Sequence, residues 1–330
     1  MPHIAVVTQV NNEDLFLPLW RRYYGGHFGY GNLIVIDDGS TDHSTENLAP
    51  THVVKRPQRP FDERERADEI SLFLDALLKL YDWVIYTDVD EFLVLDPLIK
   101  MDFSAYLGKV GGKHLNAVGI NVLHNVHTET EYSRDAPVLH QRRFGVIDNM
   151  YCKQLIHSHR VRFTPGFHWS NRARNFAPGL YLLHLARFDK ENTRRRWMVR
   201  NGIVWTTHAM ENGHSVHFRV PADAYVAQMY SIPSGRFADA ATPAHFMPMI
   251  LSFLARIEHE ASSGDTEATG TFLRQLPILQ FPERFRDIIP AVMTPLTAEE
   301  VAVQAPADLD PDFDPDSLYR AVCARVHKRA

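Results

Sequence analysis

An α/β fold, a mostly parallel sheet flanked by helices, is what this sequence predicts, and three observations predict it. Short runs rich in valine and isoleucine alternate with helical segments through the first half, the order that builds strand–helix–strand units. Three of those runs end in polar clusters, Thr8 to Glu13, Asp37 to Asp42 and Asp88 to Glu91. The second half changes character: β-like runs interleaved with histidine and arginine come first, and helical periodicity follows.

Ile4 to Val10 is an apolar, valine-rich run of the kind buried on both faces of a sheet. Glu13 to Tyr24 follows as a helix with Leu15, Leu19, Trp20 and Tyr23 at helical spacing; Pro18 places its regular start near there, and Gly25-Gly26 supplies a stop. Leu33 to Ile36 is the second strand. It runs into Asp37-Asp38-Gly39-Ser40-Thr41-Asp42, a polar turn with N-cap residues for a further helix. His52 to Lys55 reads as a third strand. The clearest helix spans Asp62 to Tyr81, where Ile70, Phe73, Leu74, Leu77, Leu78 and Tyr81 share one face and Glu65, Arg66, Asp75 and Lys79 the other. Trp83 to Thr87 is the fourth strand. Beyond it, β-like runs fall at 117–123, 138–144, 153–157, 161–164 and 181–185, and helical patterns at 189–200, 222–230, 244–260 and 267–276. From about Thr294 the chain is rich in Ala, Pro and Asp, a loosely ordered tail until a short helix near Ser317 to Val326. The chain divides accordingly into 1–115, 116–200, a helical region 201–293 and a tail 294–330.

The composition is that of an ordinary globular protein: 330 residues, 45% hydrophobic and 23% charged. The formal net charge of −5 argues against a general attraction to nucleic acid. Cys152 and Cys323 make neither a disulfide framework nor a zinc pair and read as free thiols in a reducing compartment. The chain enters a strand at once, without a signal-peptide pattern. No run approaches the ~20 apolar residues of a membrane span. The expectation is a soluble cytoplasmic protein, with peripheral contact at the inner face of a membrane left open.

In open α/β sheets ligands bind at the carboxyl ends of the strands, where the three polar clusters fall. Asp88-Val89-Asp90 closes the fourth strand. If the strand geometry persists, both carboxylates point to one side, and two so close need a cation or donors between them. A hard divalent ion, Mg²⁺ or Mn²⁺, is the usual compensation and keeps substrate phosphates in its shell; solvated turn aspartates are the plainer alternative. Of Asp37 and Asp38, one carboxylate can accept from a base N–H or a ribose hydroxyl while the other caps a turn. Arg64 and Arg66, at the start of the long helix, can meet a diphosphate or lie on a solvated face. The same choice stands for Arg194-Arg195-Arg196 and Arg200. Phe246 to Ile257 is amphipathic, as core packing requires.

Val35-Ile36-Asp37-Asp38-Gly39-Ser40-Thr41-Asp42, followed by Tyr86-Thr87-Asp88-Val89-Asp90-Glu91-Phe92-Leu93, resembles the family 2-like glycosyltransferases. Asn12-Glu13 with Leu17-Pro18-Leu19-Trp20 is similar to the subgroup whose first helix carries Asn-Glu and Trp and whose metal motif reads Asp-Val-Asp-Glu-Phe. Lys153-Gln154-Leu155-Ile156, His168 and Leu183-His184-Leu185 resemble that subgroup and the related family 92-type enzymes. The likeness covers roughly residues 3 to 200. It implies a GT-A fold, with 1–115 as the nucleotide-sugar-binding half and 116–200 as the acceptor and metal-completing half. It also implies a nucleotide-diphosphate sugar donor of the UDP-sugar class, a glycan or other hydroxyl acceptor, and Mn²⁺ or Mg²⁺. Carried over by position, Thr8 and Asp37 contact base and ribose, with Asn12, Asp38 and Arg66 beside them. Asp88 faces the sugar or ribose, and Asp90 ligates the metal together with Asp88. A late histidine, His184 or His168, completes the metal site.

An inverting transferase needs a carboxylate to deprotonate the acceptor hydroxyl. Asp148, Glu131, Glu129 and Asp135 all lie between the metal motif and the late histidines, and the Glu-Asp pair common in family 2 enzymes is absent, so stereochemistry stays open. Among the 18 histidines, His124 with His127 and His214 with His217 also read as metal pairs, without a third ligand. Three rival functions share some of these features. A haloacid dehalogenase-type phosphohydrolase carries Asp-x-Asp, but in its first strand and before a small turn. A nucleotidyltransferase has a Gly-rich basic loop where this chain has Gln9-Val10-Asn11-Asn12-Glu13. A non-catalytic sugar-nucleotide-binding module would bind donor without releasing nucleoside diphosphate.

Overall fold

In the computed structural model, which describes residues 1–56, 58–263, 276–292, 296 and 314–326, the chain forms an α/β fold around one mixed sheet. Its path runs β10-β7-β6-β8-β4-β1-β2-β3, with β9 pairing β5 and β6. β1 (Ile4–Val10), β2 (Leu33–Asp37), β3 (His52–Lys55) and β4 (Trp83–Tyr86) pair in parallel. β5 (Glu91–Leu95), β6 (His114–Leu123), β7 (Phe144–Ile147), β8 (Gln154–His157), β9 (Phe176–His184) and β10 (Ile278–Gln280) pair antiparallel, apart from the parallel β6–β9 ladder.

Period-two alternation in β1 sorts its side chains between two cores. Ile4, Val6 and Val10 join the cluster built on helix α1 (Phe16–Phe28). Ala5 and Val7 join the cluster built on α2 (Glu63–Leu77), whose Ala67, Ile70, Phe73, Leu74 and Leu77 are buried as the periodicity required. α2 starts where a capping residue allows: Asp62 accepts from the N–H groups of Arg64 and Glu65. The helix Pro315–Val326 packs on the α2 side through Tyr319.

Several expectations need correction. α1 continues through Gly25-Gly26 and stops at Gly29, which takes φ 85°. Gly25 is there for a different reason: a Cβ would sit 2.3 Å from the Tyr30 ring. No helix follows Asp42; Asp37, Asp42 and Asn12 spend their oxygens on the backbone of residues 40–44 instead. The run at 138–144 is helical at Val138–Gln141, after Pro137, and becomes a strand only at Phe144. Residues 161–164 make one isolated bridge, Phe163 to Ser170. β5 and helix α3 (Phe103–Lys109) were not foreseen. The region 201–293, expected to be helical, contributes edge strand β10 as well as helices at Thr207–Glu211, Ala222–Met229, Ser234–Ala238 and Phe246–Ser263. In the last of these Phe246, Ile250, Phe253 and Ile257 join the core. The expected helix at 267–276 and most of the tail lie outside the described residues. Among the described residues no helix is long and apolar enough to cross a membrane, and Cys152 is a buried free thiol.

Candidate active site

The carboxyl ends of β1, β2 and β4 open onto a cavity of about 540 Å³. Its floor is Gln9 to Glu13, Asp38 and Asp88 to Asp90; its walls include Asp148, Lys153, His168, His184 and, from helix α4 (Lys190–Asn201), Arg196 and Arg200. β4 ends at Tyr86, so the two aspartates sit in a turn closed by Glu91 N–H donating to the Asp88 carbonyl. The aromatic face of α1 fixes that turn. Trp20 Nε1 donates to Thr87 Oγ1 at 2.8 Å, Tyr24 Oη to the Glu91 carbonyl at 3.0 Å, and Tyr23 Oη to the Leu93 carbonyl at 2.6 Å. Buried hydroxyls and indoles seek partners, and here they supply the positioning of an acidic motif.

Three cations compensate the carboxylates. Asp88 accepts from Arg66 at 2.6 Å through one oxygen and from Lys153 at 3.1 Å through the other. Lys153, almost fully buried, also reaches Glu91 at 2.5 Å. Arg196 bridges Asp90 and Glu13, each at 2.6 Å. Burial works to raise the aspartate pKa values; Lys153 and Arg66 at Asp88, and Arg196 at Asp90, outweigh it and hold both carboxyls well below the usual range. The Arg66 guanidinium also donates to Gln9 and Tyr86, tying the ends of β1 and β4 to one side chain.

His184 faces Asp90 differently. Its Nδ1 lies 2.6 Å from Asn121 Oδ1, and Asn121 Nδ2 donates to Asp148 Oδ2 at 2.8 Å. Because the amide oxygen can only accept, Nδ1 carries the proton, and the Nε2 lone pair points toward Asp90 Oδ2 at 3.7 Å. Tyr151 stacks on the ring at 4.0 Å. Burial drives the imidazole down to about 3, so it is neutral at physiological pH. A lone pair opposite a carboxylate repels unless a cation lies between them, and an imidazole oriented by a hydrogen bond on its other nitrogen is how proteins present a metal ligand. The residues thus fit a divalent ion, and a mixed nitrogen–oxygen pair suits Mn²⁺ better than Mg²⁺, which prefers oxygen alone. Both Asp88 oxygens are engaged by cations and Asp90 Oδ2 by Arg196, so the atoms on offer are Asp90 Oδ1 and His184 Nε2.

The depressed His184 pKa gives a pH dependence. Between about 3 and the ordinary 6.5 the unfolded chain binds the proton and the folded chain does not. Stability from this group is therefore complete above 6.5 and is lost as pH falls. Metal-free protein is expected to lose on the order of 2 kcal/mol through His184 between pH 7 and pH 5. Urea denaturation of wild type and His184→Asn checks this, and equal pH slopes would refute the assignment.

The cavity gathers Asn12, Asp38, Arg66, Asp88, Asp90, Asp148, His168 and His184. His168 is anchored by Nδ1 to the Met150 carbonyl, with burial pushing it down to about 4. Thr8 and Asp37 do not line the cavity. Alternation turns Thr8 toward the α1 core, where it is fully buried, and brings Gln9 to the cavity instead. Asp37 accepts from Ser40 N and Thr45 Oγ1. Of the base candidates, Glu131 is exposed on a loop away from the site, Glu129 accepts from the Asn125 and Arg143 amides, and Asp135 bonds Ser133. Only Asp148 lines the cavity, and burial raises its pKa. Arg64 is exposed beside Asp68, and Arg194 pairs with Asp223 outside the cavity. His124 and His127 each bond a different carbonyl. The roles of Lys153, Arg196 and Asn121 were not foreseen, since their partners lie far away in sequence.

No protein-family model matches the sequence, and no curated protein does. Among solved structures the chain is similar to Staphylococcus aureus TarS 1-349 in complex with UDP-GlcNAc, at 13% identity and a TM-score of 0.30, over 71% of this chain and 77% of that one. It is similar to the Pyrobaculum calidifontis mannosyltransferase PcManGT in complex with GDP-Man and Mn²⁺, at 16% identity and 0.27, over 36% of each chain. It is also similar to Mycobacterium tuberculosis glucosyl-3-phosphoglycerate synthase in complex with Mn²⁺, UDP-glucose and phosphoglyceric acid, at 23% identity and 0.24, over 36% of this chain and 44% of that one.

Proposed function

We propose that this chain is a metal-dependent glycosyltransferase of GT-A type, moving a sugar from a nucleoside-diphosphate donor of the UDP-sugar class to a hydroxyl of a glycan acceptor. The observation that carries this is the neutral His184 Nε2 aimed at the Asp90 carboxylate in a cavity at the parallel strand ends. Asp90 and His184 hold Mn²⁺, which when bound stabilises charge on the departing diphosphate without proton transfer. Asp38, beside Gln9, accepts from the nucleoside. Arg187 adds positive charge: its Nε and Nη1 are buried at the cavity without a hydrogen-bond partner, and an anion satisfies them. Asp148, its pKa raised by burial, takes the acceptor proton. Arg66 and Lys153 keep Asp88 ionised and in place.

Thermal shift with a panel of nucleoside diphosphates and their sugars, with and without Mn²⁺, tests the proposal. One nucleotide is expected to raise Tm only with Mn²⁺, by the equivalent of about 3 kcal/mol at a hundred times Kd. A folded, Mn²⁺-supplied protein that responds to none of them would overturn it.

A further inference from the structure

Outside the cavity, Asp62, His208 and His214 each bring one ligand atom into a group whose members lie within 4.8 Å of one another. Among the described residues no other trio of histidine, cysteine and carboxylate side chains does so. Each arrives from a different place in the fold. Asp62 caps α2, and two backbone amides fix its Oδ1, which turns Oδ2 outward to Thr206 at 2.7 Å and His208 Nδ1 at 2.8 Å. His208 lies on the short helix Thr207–Glu211, whose own cap is Thr206. His214 follows the turn after that helix, and its Nδ1 is buried with no hydrogen-bond partner.

That nitrogen is the second observation. A buried ring nitrogen without a partner is costly, and the ring that carries it belongs to a trio with a carboxylate and another imidazole, the donor set of a transition metal. We propose that Asp62, His208 and His214 form a binding site for a borderline-soft divalent cation of the zinc class. Two imidazoles and one carboxylate are three of the four ligands Zn²⁺ takes, with water as the fourth; Mg²⁺ and Ca²⁺ prefer oxygen. His208 is half-exposed, so the ion has a path in. Binding shifts His208 to the tautomer protonated on Nε2, which frees Nδ1 for the ion, and the ion replaces the hydrogen bond to Asp62 Oδ2.

The site ties the segment 204–218 to the start of α2. Backbone bonds between Phe61 and Val204 and between Thr206 and Phe61, with one Ser215–Glu63 contact, already join the two. Because Ser215, His217 and Phe218 line the large cavity, the ion would set one wall of it. The inference rests on this geometry and not on the transferase assignment.

The test is Zn²⁺ titration of the full chain after EDTA dialysis, by calorimetry, with Co²⁺ as a visible-absorption probe. His208→Ala and His214→Ala are each expected to bind one equivalent fewer than their parent, both in the wild-type and in the Asp90→Asn background, and bound Co²⁺ to show the intense bands of a four-coordinate site only where both histidines remain. His208 is exposed enough for its alanine variant to fold, and that variant carries the test if His214→Ala does not. Equal stoichiometry in wild type and His208→Ala, or no Zn²⁺ binding by wild type, overturns the proposal.

Discussion

Replacing Asp90 with asparagine is expected to abolish the Mn²⁺-dependent nucleotide response and to lower kcat/KM for nucleoside-diphosphate release about a thousandfold, roughly 4 kcal/mol of transition-state stabilisation. Asparagine keeps the shape and one acceptor oxygen, so Arg196 retains a neutral partner besides Glu13 and the fold should persist. The His184 lone pair remains, but half of the ligand pair has lost its charge. The loss should appear in kcat and in metal affinity together, since the same ion engages donor and transition state. Turnover within tenfold of wild type, in a variant that folds normally, would mean that Asp90 holds no metal needed for turnover.

Lys153→Met is expected to cost about 3–5 kcal/mol of folding stability, the usual result of removing one partner from a buried ion pair. Lys153 faces Asp88 at 3.1 Å and Glu91 at 2.5 Å with almost no solvent access. Without the ammonium, Asp88 keeps Arg66, but Glu91 is left buried without a cation. Burial, Asp88 and Asp90 already push the Glu91 carboxyl up, with Lys153 holding it down. In the variant Glu91 is protonated more readily, so the deficit should be larger at pH 8 than at pH 5. Urea denaturation at both pH values measures this. Lys153→Met with Glu91→Leu should recover part of the loss, because an apolar pair of similar volume tolerates burial. A single variant within 1 kcal/mol of wild type would show that Glu91 is not charged in the native protein.

Much of the sheet was legible because strands β1, β2 and β4 are buried along their length and carry short apolar runs, while α2 repeats its apolar positions at helical spacing. Asp88 and Asp90 were legible because they are two residues apart in the chain and follow directly on a buried strand. What opposes them was not: Lys153 is 65 residues from Asp88, and Arg196 106 residues from Asp90. Arg196 sits in a basic string whose neighbours Arg194 and Arg195 are exposed, and nothing local distinguishes the inward member. Thr8 and Asp37 show another limit. Their place at strand ends was read correctly, but which of two consecutive residues faces the cavity depends on the phase of the pleat, and Gln9 and Asp38 are in phase with it. Gly25 misled for a related reason, since its lack of a side chain serves a neighbour from later in the chain.

His184 lies opposite Glu91 on one neighbouring strand and opposite Asn121 on the other, and the Leu185 amide donates to the Asp90 carbonyl. One row of the β5–β9–β6 ladder therefore sets the imidazole's height beside its carboxylate and its orienting amide. A length change in the loops at 96–102 or 158–175 leaves that row intact. A single deletion within β9 would put a leucine, 183 or 185, where the imidazole stands, with every backbone pairing satisfied. Insertion scanning should find β9 as intolerant for function as the aspartate motif itself, while the protein still folds.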